Sequence, residues 1–233
     1  MTIMRRILVA VLALVAGGVV VALLAPGGLG DPRLRVVTDG PSAEAYRAVV
    51  GGAGRLPDWL HAPGEHVALA GVLTIAGLLA WTGWTGWRRR SPAAAGAVLV
   101  VLGAVSAYLT SEAVKLVVDQ ERPCRAFGDV VTWVPCPPPG DWSFPSNHST
   151  VVGALAAGLV VLAPRLGFVA VPVAGVVAAM RVVAGVHYPH DVLAGLLLGA
   201  TTTIALLVTL TPVAERLTAR WYAGRLRPAR PRR

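Results

Sequence analysis

The chain has 233 residues, of which 55% are hydrophobic and only 14% are charged, and its formal net charge is +9. Soluble domains usually carry about 25% charged residues, so this composition excludes an ordinary soluble domain, and its apolar content excludes a disordered chain. The basic balance would suggest nucleic acid, but no recognisable nucleic-acid-binding module accompanies it. A chain of this size and apolar content favours a single bundle of membrane helices.

Six apolar segments are long enough, or nearly so, to cross a bilayer core, which takes about 20 residues. Their faces are apolar or small all round, whereas buried helices of a soluble protein would have polar outer faces. The sequence therefore predicts an all-α, polytopic membrane protein, with a six-helix bundle at 1–215 and a basic tail at 216–233. The segments are residues 7–25, 67–87, 92–110, 149–164, 167–186 and 192–210.

The arginines predict the orientation of the bundle, because the cytoplasmic ends of membrane helices are enriched in Arg and Lys. Thirteen of the 21 basic residues fall on one side if the chain crosses six times. We therefore expect both termini in the cytoplasm, with the tail against anionic lipid. The thirteen are Arg5, Arg6, Arg88, Arg89, Arg90, Arg165, Arg216, Arg220, Arg225, Arg227, Arg230, Arg232 and Arg233.

The first segment has an alternative interpretation as a signal peptide, since it follows two arginines and ends in small residues. Its apolar run is long for a signal peptide and Pro26 follows directly, which favours a retained anchor. The other five orientations are the same in either case. In the first outer connection, residues 26–66, the sequence predicts only a short amphipathic piece at 42–50.

Both cysteines, Cys124 and Cys136, lie in the second outer connection, residues 111–148. A disulfide persists on the extracytoplasmic side of a membrane, and closing this loop would contribute about 3 kcal/mol. Two free thiols are the alternative. A zinc pair is a weaker one, because no histidine ligands are nearby in the sequence.

Polar groups gather where the outer ends of the segments are expected. Lys115, the only lysine, lies just beyond the third segment, and Arg122 follows seven positions later. A charge at membrane depth is costly and indicates function, although a cation snorkelling from a helix end is the alternative. Ser146 or Asn147 would cap the fourth helix, whose N-terminus attracts anions. A capping role for Ser146 and Asn147 does not explain why a histidine stands at position 148.

A second group follows at the outer end of the fifth segment, with Arg181, His187 and Asp191. Asp191 could accept a hydrogen bond from one nitrogen of His187 and leave the other nitrogen free to attack. Pro189 would open the sixth helix, and His190 would face elsewhere as a surface or packing residue. A metal site here matches no strong zinc spacing, and the nearby cations would repel a metal ion.

Taken together, three cations, two histidines, a carboxylate and a helix N-terminus fall on one side of the membrane. Three fixed cations with backbone N–H donors form a site for a tetrahedral dianion. The two histidines add a nucleophile and an acid. The combination predicts phosphoryl transfer.

The residues that carry this prediction resemble a known family. Lys115-x6-Arg122-Pro123, then Pro145-Ser146-Asn147-His148, then Arg181-x5-His187-x3-Asp191 are similar to the three signature motifs of the type 2 phosphatidic acid phosphatases, which include the vanadium haloperoxidases. The motifs match in order and spacing. Two positions differ: Asn147 stands where the family has Gly, and Met180 where it has Ser.

The resemblance implies roles for these residues. His187 would form a phosphohistidine, Asp191 would orient it, and His148 would act as acid and then as base. The resemblance also implies that fixed cations do the work of a metal, so we expect neither a metal nor another cofactor. The phosphate-binding set would be Lys115, Arg122, Ser146, Asn147 and Arg181, with backbone N–H groups near Asn147 and His148.

The implied substrate is a lipid phosphate or diphosphate at the outer face of a bacterial plasma membrane. Prenyl diphosphates such as undecaprenyl diphosphate, phosphatidic acid and phosphatidylglycerol phosphate all fit. The alternatives are a lipid phosphotransferase with the same site, a vanadium haloperoxidase, and a non-catalytic transporter or scaffold. Membrane lipids are the expected partners, nucleic acid is not, and the oligomeric state is not predicted.

Overall fold

The chain is helical along almost all of its described length, which in this computed structural model comprises residues 2–28 and 34–225. The prediction of an all-α fold is confirmed. Within these ranges, the strand-like pairing is one parallel bridge between Arg35 and Gln120. In chain order the helices are α1 (Ile3–Leu24), α2 (Pro41–Ala53), α3 (His61–Arg88), α4 (Ala93–Lys115), α5 (Pro123–Ala126), α6 (Asn147–Leu162), α7 (Pro164–Val183) and α8 (Pro189–Arg225), with a short 3-10 helix, Asp58–Leu60, before α3.

Five of the described helices, α1, α3, α4, α7 and α8, are long and apolar enough to cross a membrane. The protein is therefore a multi-pass membrane protein. α6 is also apolar but has only 16 residues, fewer than the roughly 20 that a bilayer core requires. The sixth crossing stays a prediction, and it depends on α6.

Two helix ends differ from the predicted segments. α4 continues past residue 110 and ends at Lys115, so the lysine is the last residue of the helix. α8 begins at Pro189, as predicted, but continues beyond residue 210 to Arg225, because helix-forming Ala, Glu, Leu and Arg side chains follow. The helix therefore passes across the predicted division at 215, which stays a prediction. Four tail arginines, Arg227, Arg230, Arg232 and Arg233, lie outside the described residues.

Glycines bring α6 and α8 into backbone contact where the two helices cross. A methyl group at Gly199 would collide with the backbone oxygen of Thr150, and one at Gly195 would lie 2.5 Å from that of Ser146. Small residues allow such close approach between membrane helices. The Ser146 backbone N–H consequently donates to the Asp191 backbone oxygen at 3.1 Å. The crossing therefore fixes the start of α6 beside the first turn of α8.

The arginine-rich helix ends and the polar motif residues lie at opposite ends of the bundle. Arg6, in the first turns of α1, donates from Nη1 to the Val208 backbone oxygen at 3.2 Å. Val208 lies five turns along α8 from Asp191, by about 3.6 residues per turn. This separation of charge supports the predicted orientation. Which end faces the cytoplasm stays a prediction.

The first outer connection folds over the motif end of the bundle. α2 buries Tyr46 against Phe127 and Tyr188, and the Tyr46 hydroxyl donates to the Gly185 backbone oxygen at 2.9 Å. The amphipathic piece predicted at 42–50 is confirmed as part of α2. α2 therefore packs over the turn between α7 and α8.

Candidate active site

The predicted site residues meet because they occupy neighbouring helix ends. Lys115 ends α4, Arg122 immediately precedes α5, and α6 begins at Asn147. His187 lies in the turn between α7 and α8, and Asp191 lies in the first turn of α8. Residues from four separate stretches of the chain therefore surround one point.

His187 is buried, and Asp191 orients it. The imidazole Nδ1 lies 3.4 Å from Asp191 Oδ2 and 3.5 Å from Ser143 Oγ. The Ser143 hydroxyl and the Tyr188 backbone N–H, the latter at 2.8 Å, donate to the same carboxylate oxygen. Because Nδ1 faces a carboxylate, it carries the proton and Nε2 keeps its lone pair.

The Nε2 atom of His187 faces a guanidinium group. Arg122 Nη1 lies 3.2 Å from this nitrogen and donates to the Val186 backbone oxygen at 3.1 Å. Burial lowers the pKa of His187 to about 3; the charge of Arg122 acts in the same direction, and the hydrogen bond to Asp191 opposes it. The imidazole is therefore neutral at neutral pH, with its lone pair directed at a fixed cation.

Two carboxylates lie against the buried cations Lys115 and Arg122. Asp141 Oδ1 is 2.8 Å from Arg122 Nη2 and 3.9 Å from Lys115 Nζ, while Glu112 Oε1 is 3.0 Å from the same Nζ. Burial alone would raise the pKa of Asp141, but the hydrogen bond and charge of Arg122, with the charge of Lys115, lower it. Lys115 is thus buried and ion-paired, which excludes the snorkelling alternative.

The start of α6 presents its backbone and His148 to the site. The Ser146 side chain is buried, makes no capping bond and accepts instead from the Ser149 hydroxyl at 3.3 Å. Asn147 accepts from Ser111 at 2.7 Å and donates to Glu112 at 2.6 Å, so its side chain is directed toward α4. The backbone N–H groups at this helix end lack intrahelical acceptors and are suited to an anion.

Arg181 completes the cationic cluster from the last turn of α7. Its guanidinium lies close enough to His148 and His187 to interact electrostatically with both imidazoles. Lys115 and Arg122 interact with His148 in the same way. The structure therefore brings together all three predicted cations and both predicted histidines.

His190 does not face elsewhere, and this prediction was wrong. Its Nε2 lies 3.1 Å from Asp191 Oδ1, and its Nδ1 lies 2.6 Å from the hydroxyl of Ser42 in α2. Gln120 Nε2 donates to the same Asp191 oxygen at 3.0 Å. The first turn of a helix that begins at Pro189 places residues 190 and 191 side by side, and α2 closes over the imidazole.

Cys124 and Cys136 form a disulfide, with their Cα atoms 5.9 Å apart, in place of free thiols or a zinc pair. Arg125, beside the first cysteine, donates to the Pro137 backbone oxygen at 2.6 Å. The crosslink and this hydrogen bond hold the following segment in place. Asp141 is therefore carried to the site on a tethered loop.

An apolar cavity of about 210 Å³ lies next to His148. Leu69 and Val72 of α3, Tyr108 of α4 and Val151 of α6 line it. Asn147 and His148 complete its lining, so the apolar cavity borders one of the site histidines. A molecule with a phosphate group and a hydrocarbon chain fits this combination.

The arrangement has the parts required for in-line displacement at phosphorus. A neutral imidazole can act as a nucleophile, a second histidine can exchange a proton, and three cations with a helix N-terminus can hold phosphate oxygens. The comparison with known families agrees, because the model of the PAP2 superfamily matches residues 96–215, more than half of the chain. The chain belongs to the PAP2 superfamily.

Curated PAP2 relatives match the chain over part of their length. An undecaprenyl-diphosphatase from Sulfolobus acidocaldarius is 35% identical over 104 residues, which are 44% of this chain and 50% of the relative. A lipid A 1-phosphatase from Rhizobium johnstonii is 48% identical over 58 residues, which are 25% of this chain and 24% of the relative. The chain thus spans half the length of the first and about a quarter of the second.

A solved structure shares the fold over nearly the whole chain. The transmembrane PAP2-type phosphatidylglycerolphosphate phosphatase from Bacillus subtilis superposes with a TM-score of 0.54 at 20% identity. The superposition covers 93% of this chain and 98% of that one. At this identity the likeness shows the fold alone.

The structure shows what the side chains contact at the two positions that differ from the PAP2 motifs. Asn147 replaces a glycine, and its side chain bridges Ser111 and Glu112 rather than occupying the space in front of the helix end. Met180 replaces a serine, and its side chain packs against the main apolar cluster of the bundle.

Five further residues contact the candidate site, and the sequence predictions assigned none of them to it. Only His190 had a signal, since it precedes Asp191 in a helix expected to begin at Pro189. The others reach the site through loop paths and side-chain packing that no sequence period records. The five are Glu112, Gln120, Asp141, Ser143 and His190.

Proposed function

We propose that the protein hydrolyses a lipid phosphate or diphosphate through a phosphohistidine intermediate on His187. The observation that carries this proposal is the orientation of one buried imidazole. Its Nδ1 faces Asp191 at 3.4 Å, and its Nε2 faces Arg122 at 3.2 Å. A lone pair and a cation therefore converge where a phosphate would bind.

In the first step, Nε2 of His187 attacks phosphorus in line and the bond from phosphorus to the leaving oxygen breaks. His148, whose proton the negative charge of the bound phosphate would stabilise against the three neighbouring cations, gives that proton to the oxygen. The product leaves as an alcohol or as a lipid monophosphate. Asp191 stabilises the positive charge that develops on the imidazole. The Ser143 hydroxyl and the Tyr188 N–H keep the carboxylate in place.

In the second step, His148 accepts a proton from water, and the water oxygen attacks phosphorus. The bond from phosphorus to Nε2 breaks, inorganic phosphate leaves, and His187 returns to its neutral form. Lys115, Arg122 and Arg181, with the N–H groups at the start of α6, stabilise the charge on the equatorial oxygens in both steps. Because these groups are part of the protein, the proposed reaction requires no metal ion.

The substrate class follows from the apolar cavity beside His148. A hydrocarbon chain between α3, α4 and α6 would leave its phosphate at the cationic cluster. A prenyl diphosphate is the first substrate to test, since one relative is an undecaprenyl-diphosphatase. Phosphatidic acid and phosphatidylglycerol phosphate are the others.

We also propose that the site faces the extracytoplasmic side of a bacterial plasma membrane. The disulfide at the motif end and the arginines at the opposite end both support this orientation. Both termini would then be cytoplasmic. A reporter that is active only in the cytoplasm, fused after Arg90 or after Gly128, tests the orientation through its activity in the first position alone.

Phosphate release by the purified protein in detergent tests the function. The panel contains undecaprenyl diphosphate, phosphatidic acid and phosphatidylglycerol phosphate, each with and without EDTA. We expect release from at least one lipid, unaffected by EDTA, abolished in His187→Ala and retained in His66→Gln, which alters an exposed histidine. No release from any lipid would contradict the proposed activity, and loss with EDTA would contradict metal independence.

A further inference from the structure

The Asp191 carboxylate serves two histidines. Its Oδ2 atom faces His187 and accepts from Ser143 and the Tyr188 backbone. Its Oδ1 atom accepts from Gln120 and lies 3.1 Å from His190 Nε2. The proposed mechanism uses only the first oxygen. The second oxygen, with its own set of donors, fixes how the carboxylate is rotated toward the nucleophile.

The surroundings of His190 determine its tautomer. Nε2 lies 3.1 Å from Asp191 Oδ1 and also 3.1 Å from Gln120 Oε1, and both oxygens are acceptors. Nε2 must therefore carry a proton. Ser42 Oγ accepts the His190 backbone N–H at 3.4 Å, so its own proton is available to Nδ1 at 2.6 Å. The single proton on Nε2 thus faces two acceptor oxygens, while Nδ1 faces the Ser42 hydroxyl.

Packing holds the ring of His190 in this orientation. It stacks on Tyr188 with ring centroids 5.2 Å apart and an angle of 16° between the planes, and it lies 5.9 Å from the Phe144 ring. The residue is only 8% exposed, so it is separated from the open side of the site. Its link to the proposed nucleophile His187 runs through Asp191.

We propose that His190 is a positioning residue for the nucleophile, held in its donor tautomer by Ser42 of α2. This inference rests on the proposed phosphatase mechanism. The Nε2–H of His190 bonds to Gln120 Oε1, and the Gln120 amide nitrogen in turn donates to Asp191 Oδ1, which also lies 3.1 Å from His190 Nε2. Held in this way, the carboxylate presents Oδ2 to Nδ1 of His187. The N-terminal outer connection thereby takes part in organising a site whose three motifs all lie elsewhere in the chain.

Two amide substitutions test whether a donor is needed at the place of Nε2. In His190→Gln the side-chain nitrogen reaches the place of Nε2 and can still donate to Gln120 or Asp191. In His190→Asn the shorter amide reaches only the place of Nδ1, so the donor is lost while polarity is kept. Ser42→Ala leaves the ring in place and removes only the hydroxyl that selects its tautomer. His66→Gln, at an exposed histidine, is the control.

We expect kcat for phosphate release to fall about 10- to 100-fold in His190→Asn, with KM within about twofold of the unsubstituted protein. His190→Gln should keep at least about a third of kcat, and Ser42→Ala should lose about threefold, because the imidazole can still donate part of the time. Equal kcat values for the Asn and Gln variants would overturn the proposal. A loss caused by packing alone would also lower the thermal unfolding midpoint of His190→Asn, whereas loss of the donor lowers kcat without that decrease.

Orthovanadate gives a second reading that needs no turnover, because it forms a five-coordinate adduct with an imidazole nitrogen. Its Kd, measured by calorimetry on the purified protein, should rise about tenfold in His190→Asn and stay within about twofold in His190→Gln and His66→Gln. If the unsubstituted protein releases no phosphate, the proposed function fails, and the vanadate Kd still decides the role of His190. Equal Kd values in all variants would overturn that role.

Discussion

Arg122 and His187 face each other at 3.2 Å, from guanidinium Nη1 to imidazole Nε2. The nucleophilic lone pair and a charge that can bind a phosphate oxygen are thus held at one point before any substrate arrives. A phosphate that enters between them replaces this contact with two new ones. Once the phosphate is bound, preorganised charge of this kind requires no further rearrangement during the reaction.

The position of Arg122 predicts that lysine cannot replace it. Its guanidinium donates simultaneously to the Asp141 backbone oxygen at 2.8 Å, the Asp141 carboxylate and the Val186 oxygen, which a single ammonium group cannot reproduce. We expect Arg122→Lys to lower kcat/KM for phosphate release about 100-fold. Arg165→Lys, at the other end of the bundle, should leave kcat/KM unchanged. Wild-type kcat/KM in Arg122→Lys would show that charge alone suffices.

The carboxylate of Asp141 lies against Arg122 and Lys115, where a bound phosphate would compete with it. Asp141→Asn keeps an oxygen that can accept from Arg122 Nη2 but removes the negative charge beside Lys115. Since the side chain is 43% exposed, we expect the inhibition constant of inorganic phosphate to fall only about three- to tenfold. The effect should shrink as salt is added. Weaker inhibition by phosphate in Asp141→Asn would instead show that Asp141 mainly holds Arg122 in position.

The lowered pKa of His187 predicts a specific loss of stability in acid. An unfolded histidine titrates near pH 6.5, whereas the folded pKa is about 3, so the unfolded chain binds an extra proton between these values. The stabilisation is full above about pH 6.5 and is lost as pH falls toward 3, by about 1 kcal/mol per pH unit.

His187→Gln removes this titration and is the variant to compare. The thermal unfolding midpoint in detergent should fall less between pH 7 and pH 5 in the variant than in the unsubstituted protein. His66→Gln, at an exposed histidine, should show the full decrease. Equal pH dependence of the midpoint in His187→Gln and the unsubstituted protein would contradict the lowered pKa.

The disulfide between Cys124 and Cys136 predicts a redox-dependent stability of the outer loop. Replacing both cysteines with serine should lower the free energy of unfolding by about 3 kcal/mol and should reduce kcat through the Asp141 loop. Reductant should lower the thermal midpoint of the unsubstituted protein and have no effect on the double variant. A midpoint that does not respond to reductant in either protein would contradict the crosslink.

The crossing of α6 and α8 predicts that Gly199 tolerates no side chain. In Gly199→Ala the methyl group meets the Thr150 oxygen and the Ala154 nitrogen, which should destabilise the fold by about 1–3 kcal/mol. Gly175→Ala on α7 is the matched control, because no atom lies within 4 Å of the added carbon. Similar thermal midpoints for the two variants would contradict the backbone contact.

The helices and the three motifs could be predicted from the sequence because both depend on local patterns. Hydropathy marks the apolar segments, and the motif residues stand at their ends, so Lys115, His148 and His187 could be assigned to one face. The orientation of His187 by Asp191 also follows from four-residue spacing around the start of a helix.

The remaining contacts depend on tertiary structure. Asp141 reaches Arg122 only because the disulfide and Arg125 fix the path of an irregular loop. Gln120 reaches Asp191 from a segment paired with Arg35, far away in the sequence. α8 extends beyond the apolar segment 192–210, because hydropathy reports membrane depth rather than helix length.

The most direct test of the account is to trap the covalent intermediate. The protein is mixed with its fastest substrate, labelled in the transferred phosphate, and the reaction is stopped with alkali within the first turnover. We predict alkali-stable, acid-labile label on the peptide that contains His187, and none in His187→Ala. Label on a different residue, or full phosphate release by His187→Ala without label, would contradict the phosphohistidine mechanism.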